Sequence, residues 1–140
     1  MIDTINFNYT VDGLDFSRAG EASTDIKQKL KQMGVDFTII RKIAIAMYEG
    51  EINLFIHAHG GKINVSITAT EVLMILSDHG PGIDDIAQAM LAGFSTAPDD
   101  ARELGFGAGM GLPNMKKNSD EMKIESEVGV GTTVTMKVYL

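Results

Sequence analysis

The residues from Phe37 to His59 constrain the fold most, because they form a long segment that is apolar on most of its helical faces. Apolar residues recur at intervals of three and four, and Asp36 precedes them as an N-cap residue. The apolar positions are Phe37, Ile40, Ile43, Ala44, Met47, Ile52, Phe55 and Ile56. A helix of this kind must be covered on several sides. The sequence therefore predicts a central helix, ended by Gly60 and Gly61, with the rest of the chain packed around it.

Shorter elements on both sides of this segment complete a two-layer fold. Alternation over 5–11 predicts a strand, and helical spacing over 15–34 predicts a first helix. The later elements are strands at 62–67 and 72–76, a helix in 83–94, a loop at 95–111, a helix around Pro113 and two strands joined at a "GVG" turn. The order β-α-α-β-β-α-loop-α-β-β predicts the α+β class. It favours a two-layer α/β sandwich in which a mixed, mostly antiparallel sheet carries helices on one face, as a single domain over 1–140.

The charge and composition exclude some classes of partner. The formal net charge is −7 at pH 7 and no basic stripe is present, so the chain would repel nucleic-acid phosphates. No apolar run approaches the roughly 20 residues that span a bilayer, and the absence of cysteine excludes disulfides. We therefore expect a cytoplasmic protein that binds neither nucleic acid nor membrane. A polyanion would have to be held by backbone N–H groups, a helix N-terminus or a metal ion.

Glu49 and Asn53 are the first candidate functional pair. They lie four residues apart, so they share one face of the central helix, and Glu51 lies between them. One interpretation is a solvent-facing edge of an otherwise apolar helix. The other is a site in which the carboxylate orients or deprotonates a nucleophile and the amide oxygen binds Mg²⁺, which prefers such oxygen ligands.

The stretch "SDHGPGI" at 77–83 follows a strand predicted to be buried and supplies a second candidate. A Gly-Pro-Gly sequence by itself indicates a turn. Asp78 at the strand end could in addition accept a hydrogen bond from an exocyclic amine such as that of adenine. Gly80 and Gly82 would then let the backbone approach the plane of a ligand.

A third candidate is "ELGFGAGMGLPNMKK" at 103–117, in which glycine occupies every second position from Gly105 to Gly111. The stretch matches neither a P-loop nor a Rossmann fingerprint, because no strand precedes it. Two interpretations remain. It is either a flexible surface loop or a phosphate cradle, in which free N–H groups and a helix N-terminus meet the anion with help from Lys116 and Lys117.

The order of these motifs resembles the GHKL superfamily of ATPases, which includes histidine kinases, gyrase, Hsp90 and MutL. The matching series is Glu49-x-x-x-Asn53, Asp78-x-Gly80-x-Gly82, the glycine-rich stretch, and Gly131-Thr132 before the last strand. The resemblance covers nearly the whole chain and implies a Bergerat-type ATP-binding fold. The segments "GPGIDDIAQAMLAGFSTA", "GMGLPNMKK" and "ESEVGVGTTVTM" are similar to small serine/threonine kinases of bacterial partner-switching systems, namely anti-sigma-factor kinases and stressosome switch kinases.

The resemblance implies a role for each matching residue. Glu49 corresponds to the carboxylate that activates the hydroxyl of a protein substrate, and Asn53 to the Mg²⁺ ligand. Asp78 corresponds to the acceptor for the adenine amino group, with Thr132 supporting the base, and Arg18 is matched to an arginine that meets the γ-phosphate. The remaining nucleotide-contacting positions are Gly80, Gly82, Ile83, Gly105, Gly107, Gly109, Met110, Gly111, Leu112 and Lys116.

The chain departs from the family pattern in two places. Gly50 and Glu51 put a flexible residue and a further carboxylate inside the first motif, and the segment 97–104 is acidic. In the superfamily the glycine-rich region is a mobile lid over the nucleotide. We therefore predict that residues 95–110 are poorly ordered or displaced without nucleotide.

The resemblance implies a kinase that uses ATP and Mg²⁺ to phosphorylate serine or threonine on a small antagonist-type protein. A sigma factor or a phosphatase regulator would be a second, competing partner, and a homodimer is compatible with the sequence. One alternative is a binding module in which ATP switches partner sequestration without significant turnover. Another is the detached catalytic half of a split histidine kinase, which would form phosphohistidine on a partner.

Overall fold

Five antiparallel strands form one sheet with the order β1-β2-β3-β5-β4. A computed structural model of the chain describes residues 4–13, 16–56, 58–83, 85–90 and 111–140. The strands are β1 Ile5–Asp12, β2 Gly60–Ile67, β3 Glu71–Ser77, β4 Glu121–Glu127 and β5 Gly131–Tyr139. All four pairings between these strands are antiparallel, so the described sheet contains no parallel pair of the kind that a mixed sheet would require.

The helices include the long central one that the sequence predicts. A 3₁₀ turn at Phe16–Arg18 precedes the first α-helix, and the α-helices are α1 Glu21–Gln32, α2 Phe37–Ile56, α3 Ile86–Ala89 and α4 Gly111–Lys117. The helix expected over 15–34 is therefore interrupted at Gly20, whose φ of 96° lies in the left-handed region and is incompatible with a continuous α-helix. None of the helices in the described ranges combines the length and the apolarity that crossing a membrane requires.

The helix α2 packs against α1 and α4 and against strands of the sheet, which explains why it is apolar on most faces. Its buried apolar side chains include Ile43, Met47 and Phe55. Gly50 allows the closest approach: a Cβ atom there would lie 2.5 Å from Cδ2 of Leu76 and 3.3 Å from Cε of Met115. Gly50 is thus a close-packing position between α2, β3 and α4, and not a point of flexibility.

The two faces of the sheet differ in polarity because side chains alternate along each strand. The inner face supplies buried residues to the core beneath α2: Ile63, Val65, Ile67, Val72, Met74, Leu76, Val134, Met136 and Val138. On the outer face, polar side chains bond across strands, as Asn64 does to Asn8 and Ser66 to Asn6. The predicted two-layer arrangement with helices on one face is therefore observed.

Candidate functional site

Four elements meet at one end of the molecule. Asp78 directly after β3 bonds to Thr132 near the start of β5, with its backbone N–H 3.0 Å from the Thr132 carbonyl oxygen. The first turn of α4 lies against the C-terminal half of α2, where Gly111 faces the side chain of Asn53. The structure therefore joins the strand-end motif to Thr132 and the helix-start motif to Asn53 of α2, residues that are far apart in the sequence.

Glu49 is half-buried on the side of α2 that faces α4. Its Oε1 accepts a hydrogen bond of 3.3 Å from Nδ2 of Asn114. No other hydrogen bond or ion pair to the Glu49 carboxylate occurs within the described ranges, so Oε2 is left as an acceptor. An oriented carboxylate with one unused oxygen is suited to receive a proton from a substrate hydroxyl.

Asn53 lies one turn further along α2 and is held by α4. Its Nδ2 lies 3.7 Å from Sδ of Met115, within hydrogen-bond distance of a sulfur acceptor, and its Oδ1 accepts no hydrogen bond from the described part of the chain. A Cβ atom at residue 111 would lie only 3.1 Å from this Oδ1. Glycine at position 111 therefore leaves room beside the amide oxygen, where a hard cation could bind.

Asp78 uses one carboxylate oxygen to shape its own loop. Oδ1 accepts hydrogen bonds from the backbone N–H of Gly80 at 2.8 Å and of Thr132 at 3.1 Å. Oδ2 accepts none from the part of the chain that the structure describes. The carboxylate is thus fixed in orientation with its second oxygen available to an amine donor.

The Gly80–Ile83 loop is pressed against neighbouring backbone. Gly82 has a φ of 81°, and a Cβ there would lie 2.5 Å from the carbonyl oxygen of Glu127. At Gly80 a Cβ would lie 2.8 Å from Cα of Ala58. Both glycines are therefore required by close backbone approach, and the backbone N–H of Ile83 donates to Oγ of Ser126 at 2.7 Å.

Ser126 is a residue of this end of the molecule that the sequence patterns did not single out. Its hydroxyl lies 2.7 Å from Oγ1 of Thr132, which is nearly buried at 9% exposure. Ser126 therefore links the Ile83 backbone to Thr132. Asn114 was missed in the same way, because a single polar residue in a short helix carries no periodic signal.

Part of the glycine-rich stretch lies outside the described residues. This concerns Gly105, Gly107, Gly109 and Met110, as well as the lid predicted over 95–110. Of the expected α4 residues, Leu112 packs against the core, whereas Lys116 is exposed in the last turn. The Lys116 ammonium makes no ion pair with any described residue.

Arg18 lies at the 3₁₀ turn before α1, and its guanidinium pairs with Glu21 at 3.2 Å. Both side chains are 59% exposed, so this ion pair contributes little to stability. Within the described ranges Arg18 forms no hydrogen bond or ion pair with Glu49. The structure therefore does not join these two expected site residues.

Glu51 caps the N-terminus of α1. The N-cap residue Gly20 has no side chain with which to cap. The Glu51 carboxylate makes the capping hydrogen bonds instead. Its Oε2 accepts from the backbone N–H of Gly20 and Ala22, both at 3.1 Å, and its Oε1 accepts from that of Ser23 at 3.0 Å. The side chain is only 2% exposed. Glu51, the further carboxylate within the first motif, therefore stabilises the contact between α1 and α2.

Two tyrosines near these carboxylates keep their protons over a wide pH range. Burial raises the pKa of Tyr48, and the charges of Glu49 and then Glu51 raise it further. The pKa of Tyr9 is also raised, first by burial and then by its hydrogen bond to Asp25. Neither phenol is therefore a candidate for a base at neutral pH.

Comparison with known families places this chain in a defined group. Residues 52–140 match the family described as histidine kinase-, DNA gyrase B- and HSP90-like ATPase. An anti-sigma F factor from Thermoanaerobacter sp. (strain X514) is 34% identical over 106 residues, which are 72% of this chain and 71% of that protein. The serine/threonine-protein kinase RsbT of Bacillus subtilis (strain 168) is 32% identical over 108 residues, 74% of this chain and 75% of RsbT.

Solved structures show the same fold at lower identity. The crystal structure of the RsbU and RsbW domains of a Mycobacterium tuberculosis protein superposes with a TM-score of 0.65 at 18% identity. The match covers 96% of this chain and 31% of that one. The SiaB-SiaC complex from Pseudomonas aeruginosa gives a TM-score of 0.57 at 12% identity, with 97% and 89% covered. The α+β fold predicted from the sequence is confirmed.

Proposed function

Because the chain belongs to the family of histidine kinase-, DNA gyrase B- and HSP90-like ATPases, we propose that it binds ATP with Mg²⁺ and phosphorylates serine or threonine on a small antagonist-type protein. The family resemblance predicted from the sequence motifs is confirmed by this match. Relatives named as an anti-sigma F factor and as a serine/threonine-protein kinase support a regulator of the partner-switching kind. The observation that carries the kinase proposal is Glu49, a carboxylate oriented by Asn114 beside Asn53.

The residues present fit a nucleotide with its metal ion. Asp78 has one oxygen held by backbone N–H groups and the other free for the amino group of adenine. Thr132 would support the base. Asn53 would bind Mg²⁺ through Oδ1, because its amide nitrogen is directed to the Met115 sulfur. The glycine-rich stretch up to Gly111 would contact the phosphates through backbone N–H groups.

The chain's own groups would position the reaction. Bound ATP would supply the phosphoryl group, and Mg²⁺ would neutralise charge, since phosphoryl transfer depends mainly on positioning and electrostatics. Glu49 would hold the serine or threonine hydroxyl of the partner and receive its proton on Oε2. We propose that Arg18 contacts the phosphates after its guanidinium leaves the exposed ion pair with Glu21.

The experiment is a phosphotransfer assay with the purified chain, Mg·ATP and antagonist-type domains encoded beside its gene. Phosphoserine or phosphothreonine is read by mass spectrometry. We expect Glu49→Gln to slow transfer about 100-fold or more, the usual contribution of a general base, with ATP affinity kept within about threefold. Glu125→Gln is the matched control, because Glu125 is exposed on β4 and, among the described residues, forms an ion pair with Lys123 alone.

Asp78→Asn is expected to act on binding and not on the chemical step. The new side chain keeps an acceptor for the Gly80 and Thr132 N–H groups but presents a donor where Oδ2 was. ATP affinity measured by calorimetry should fall at least about tenfold, the effect of one lost charged hydrogen bond. Unchanged ATP affinity in this variant would contradict the proposed adenine site.

A second candidate function is partner sequestration switched by ATP without significant turnover. The relatives named as anti-sigma F factors favour it. It would be supported if no antagonist-type domain is phosphorylated while ATP still changes the affinity for a sigma factor or a phosphatase regulator. Phosphohistidine on a partner would instead support the split histidine kinase. We propose a cytoplasmic location for any of these functions.

A further inference from the structure

We propose that Asn114 is a positioning residue for Glu49, so that α4 holds the side chain expected to receive the substrate proton. This inference rests on the proposed kinase function. Among the described residues, Asn114 is the one that hydrogen-bonds the Glu49 carboxylate. It was not among the site residues that the sequence motifs indicated.

Asn114 is itself held firmly. The next residue, Met115, is fully buried at 1% exposure and packs against Gly50 of α2. The backbone carbonyl of Asn114 accepts a hydrogen bond of 2.9 Å from Nδ2 of Asn118. The bonded carbonyl of Asn114 and the buried residue after it give the Asn114 amide a fixed location from which to orient a more flexible partner.

The chemistry of an amide suits this role. A glutamate side chain has several rotatable bonds, and fixing them in advance avoids an entropy cost at the moment of reaction. A lysine or arginine in the same place would form an ion pair and favour the charged carboxylate, which would make it a poorer proton acceptor. The neutral Nδ2 donor of Asn114 orients Oε1 of Glu49 and favours the charged carboxylate less strongly than a cation would. It leaves Oε2 for the substrate hydroxyl.

The same helix also contacts the proposed metal ligand. Gly111 begins α4 beside Oδ1 of Asn53, and Met115 accepts from its Nδ2. The first turns of α4 therefore touch both polar residues of the α2 motif. The position of α4 against α2 would therefore align the Glu49 and Asn53 side chains together.

The test compares Asn114→Leu, which keeps the branched shape but has no donor, with Asn114→Gln, which keeps a carboxamide. In the phosphotransfer assay we expect Asn114→Leu to lower kcat about 10- to 100-fold, the effect of a small misplacement of a reacting group. KM for ATP should change less than about twofold, and Asn114→Gln should recover part of kcat. In a Glu49→Ala background, Asn114→Leu should not lower kcat any further.

The control is Ser119→Ala, which removes a hydrogen bond to the Met115 carbonyl at the end of α4 without a bond to Glu49 or Asn114. It should lower thermal stability yet leave kcat near the wild-type value. Equal losses of kcat in Ser119→Ala and Asn114→Leu would overturn the proposal, because general loosening of α4 would then explain both. A loss of ATP affinity that matches the loss of kcat would also overturn it.

A measurement that does not need kinase activity separates this inference from the proposed function. Urea unfolding of the wild type, Glu49→Ala, Asn114→Leu and the double variant forms a double-mutant cycle. We expect the midpoint of the double variant to fall by less than the sum of the two single changes. If no substrate is phosphorylated, the kinase proposal fails, and non-additivity still upholds the Asn114–Glu49 contact. Additive changes would overturn it.

Discussion

Glu49 and Glu51 are two residues apart on α2 and serve different purposes because of helix geometry. At 3.6 residues per turn their side chains leave the axis about 200° apart. Glu49 faces α4 and Asn114, whereas Glu51 faces the first turn of α1. A carboxylate that accepts three backbone N–H groups satisfies donors that a helix start otherwise leaves open. The spacing of the two residues therefore separates a proposed site residue from a structural one.

Replacement of Glu51 should reduce stability. We expect Glu51→Ala to lower the free energy of unfolding by about 3 kcal/mol, because each buried donor left unpaired costs about 1–3 kcal/mol and water recovers part of the loss. Urea denaturation monitored by circular dichroism measures the change. Glu49→Ala is the control on the same helix, and its loss should be below about 1 kcal/mol, since its carboxylate is half-buried and makes one long hydrogen bond. Equal losses in both variants would contradict the capping role.

At the scale of elements, α2 sits between the sheet, α1 and α4, and Gly50 sets its distance from β3. The absence of a side chain there lets Leu76 and Met115 fill the space beside the helix. Met115 in turn fixes α4 next to Glu49 and Asn53. The packing of three elements at one glycine therefore positions the polar residues of the site.

Gly50→Ala tests this packing. Alanine in an open helix position stabilises by roughly 1 kcal/mol relative to glycine, but here its Cβ would lie 2.5 Å from Cδ2 of the buried Leu76. Overpacking of this kind costs about 1–3 kcal/mol. We therefore expect a net loss of about 1 kcal/mol in the free energy of unfolding, measured by urea titration.

The Leu76→Val background supplies the control for this substitution. Valine lacks the Cδ2 atom, so the added methyl group at residue 50 should cost less there than in the wild type. A gain in stability on Gly50→Ala in the unmodified chain would show that the core accommodates the methyl group, and would contradict the close-packing role.

At the scale of the whole molecule, Asp120 links elements at the end of the sheet away from the site. Its Oδ2 accepts the backbone N–H of Tyr139 at 2.8 Å, and its Oδ1 lies 3.3 Å from Nζ of Lys42 on α2. The backbone hydrogen bond from Tyr139 has the largest effect and lowers the pKa of Asp120; burial opposes it, and the hydrogen bond and charge of Lys42 lower the pKa further. The helix layer and the last strand are thus tied by one ionised carboxylate.

This link should make stability depend on pH in a defined direction. Because the folded-state pKa lies below its ordinary value, the contribution is present above the unfolded pKa of about 3.9. It is lost as pH falls through the folded value. Asp120→Asn should lower the melting temperature at pH 7, and the difference from wild type should shrink at acidic pH. Glu125→Gln is the control at an exposed carboxylate. A difference in melting temperature between Asp120→Asn and wild type that persists unchanged well below pH 3 would contradict the assignment.

The sequence was informative wherever a pattern was long or repeated. Alternation over β1 and the two hairpins, and the apolar segment around α2, predicted element type and order, because burial of a face imposes periodicity. The resemblance to the family rested on the order of four motifs along the chain: Glu49–Asn53, Asp78–Gly82, the glycine-rich stretch and Gly131–Thr132. The interruption of α1 at Gly20 was missed, since a single left-handed glycine leaves the apolar spacing intact.

The chain by itself therefore determined the two-layer architecture, the central helix and the chemical types of the site residues. Only the tertiary structure decided which partners those residues meet: Glu51 with the start of α1, Asn114 with Glu49, and Ser126 with Thr132. The physical reason is that periodicity records which face of an element is buried. A hydrogen bond between residues far apart in sequence depends on how separate elements pack, and the local sequence around each residue does not record that packing.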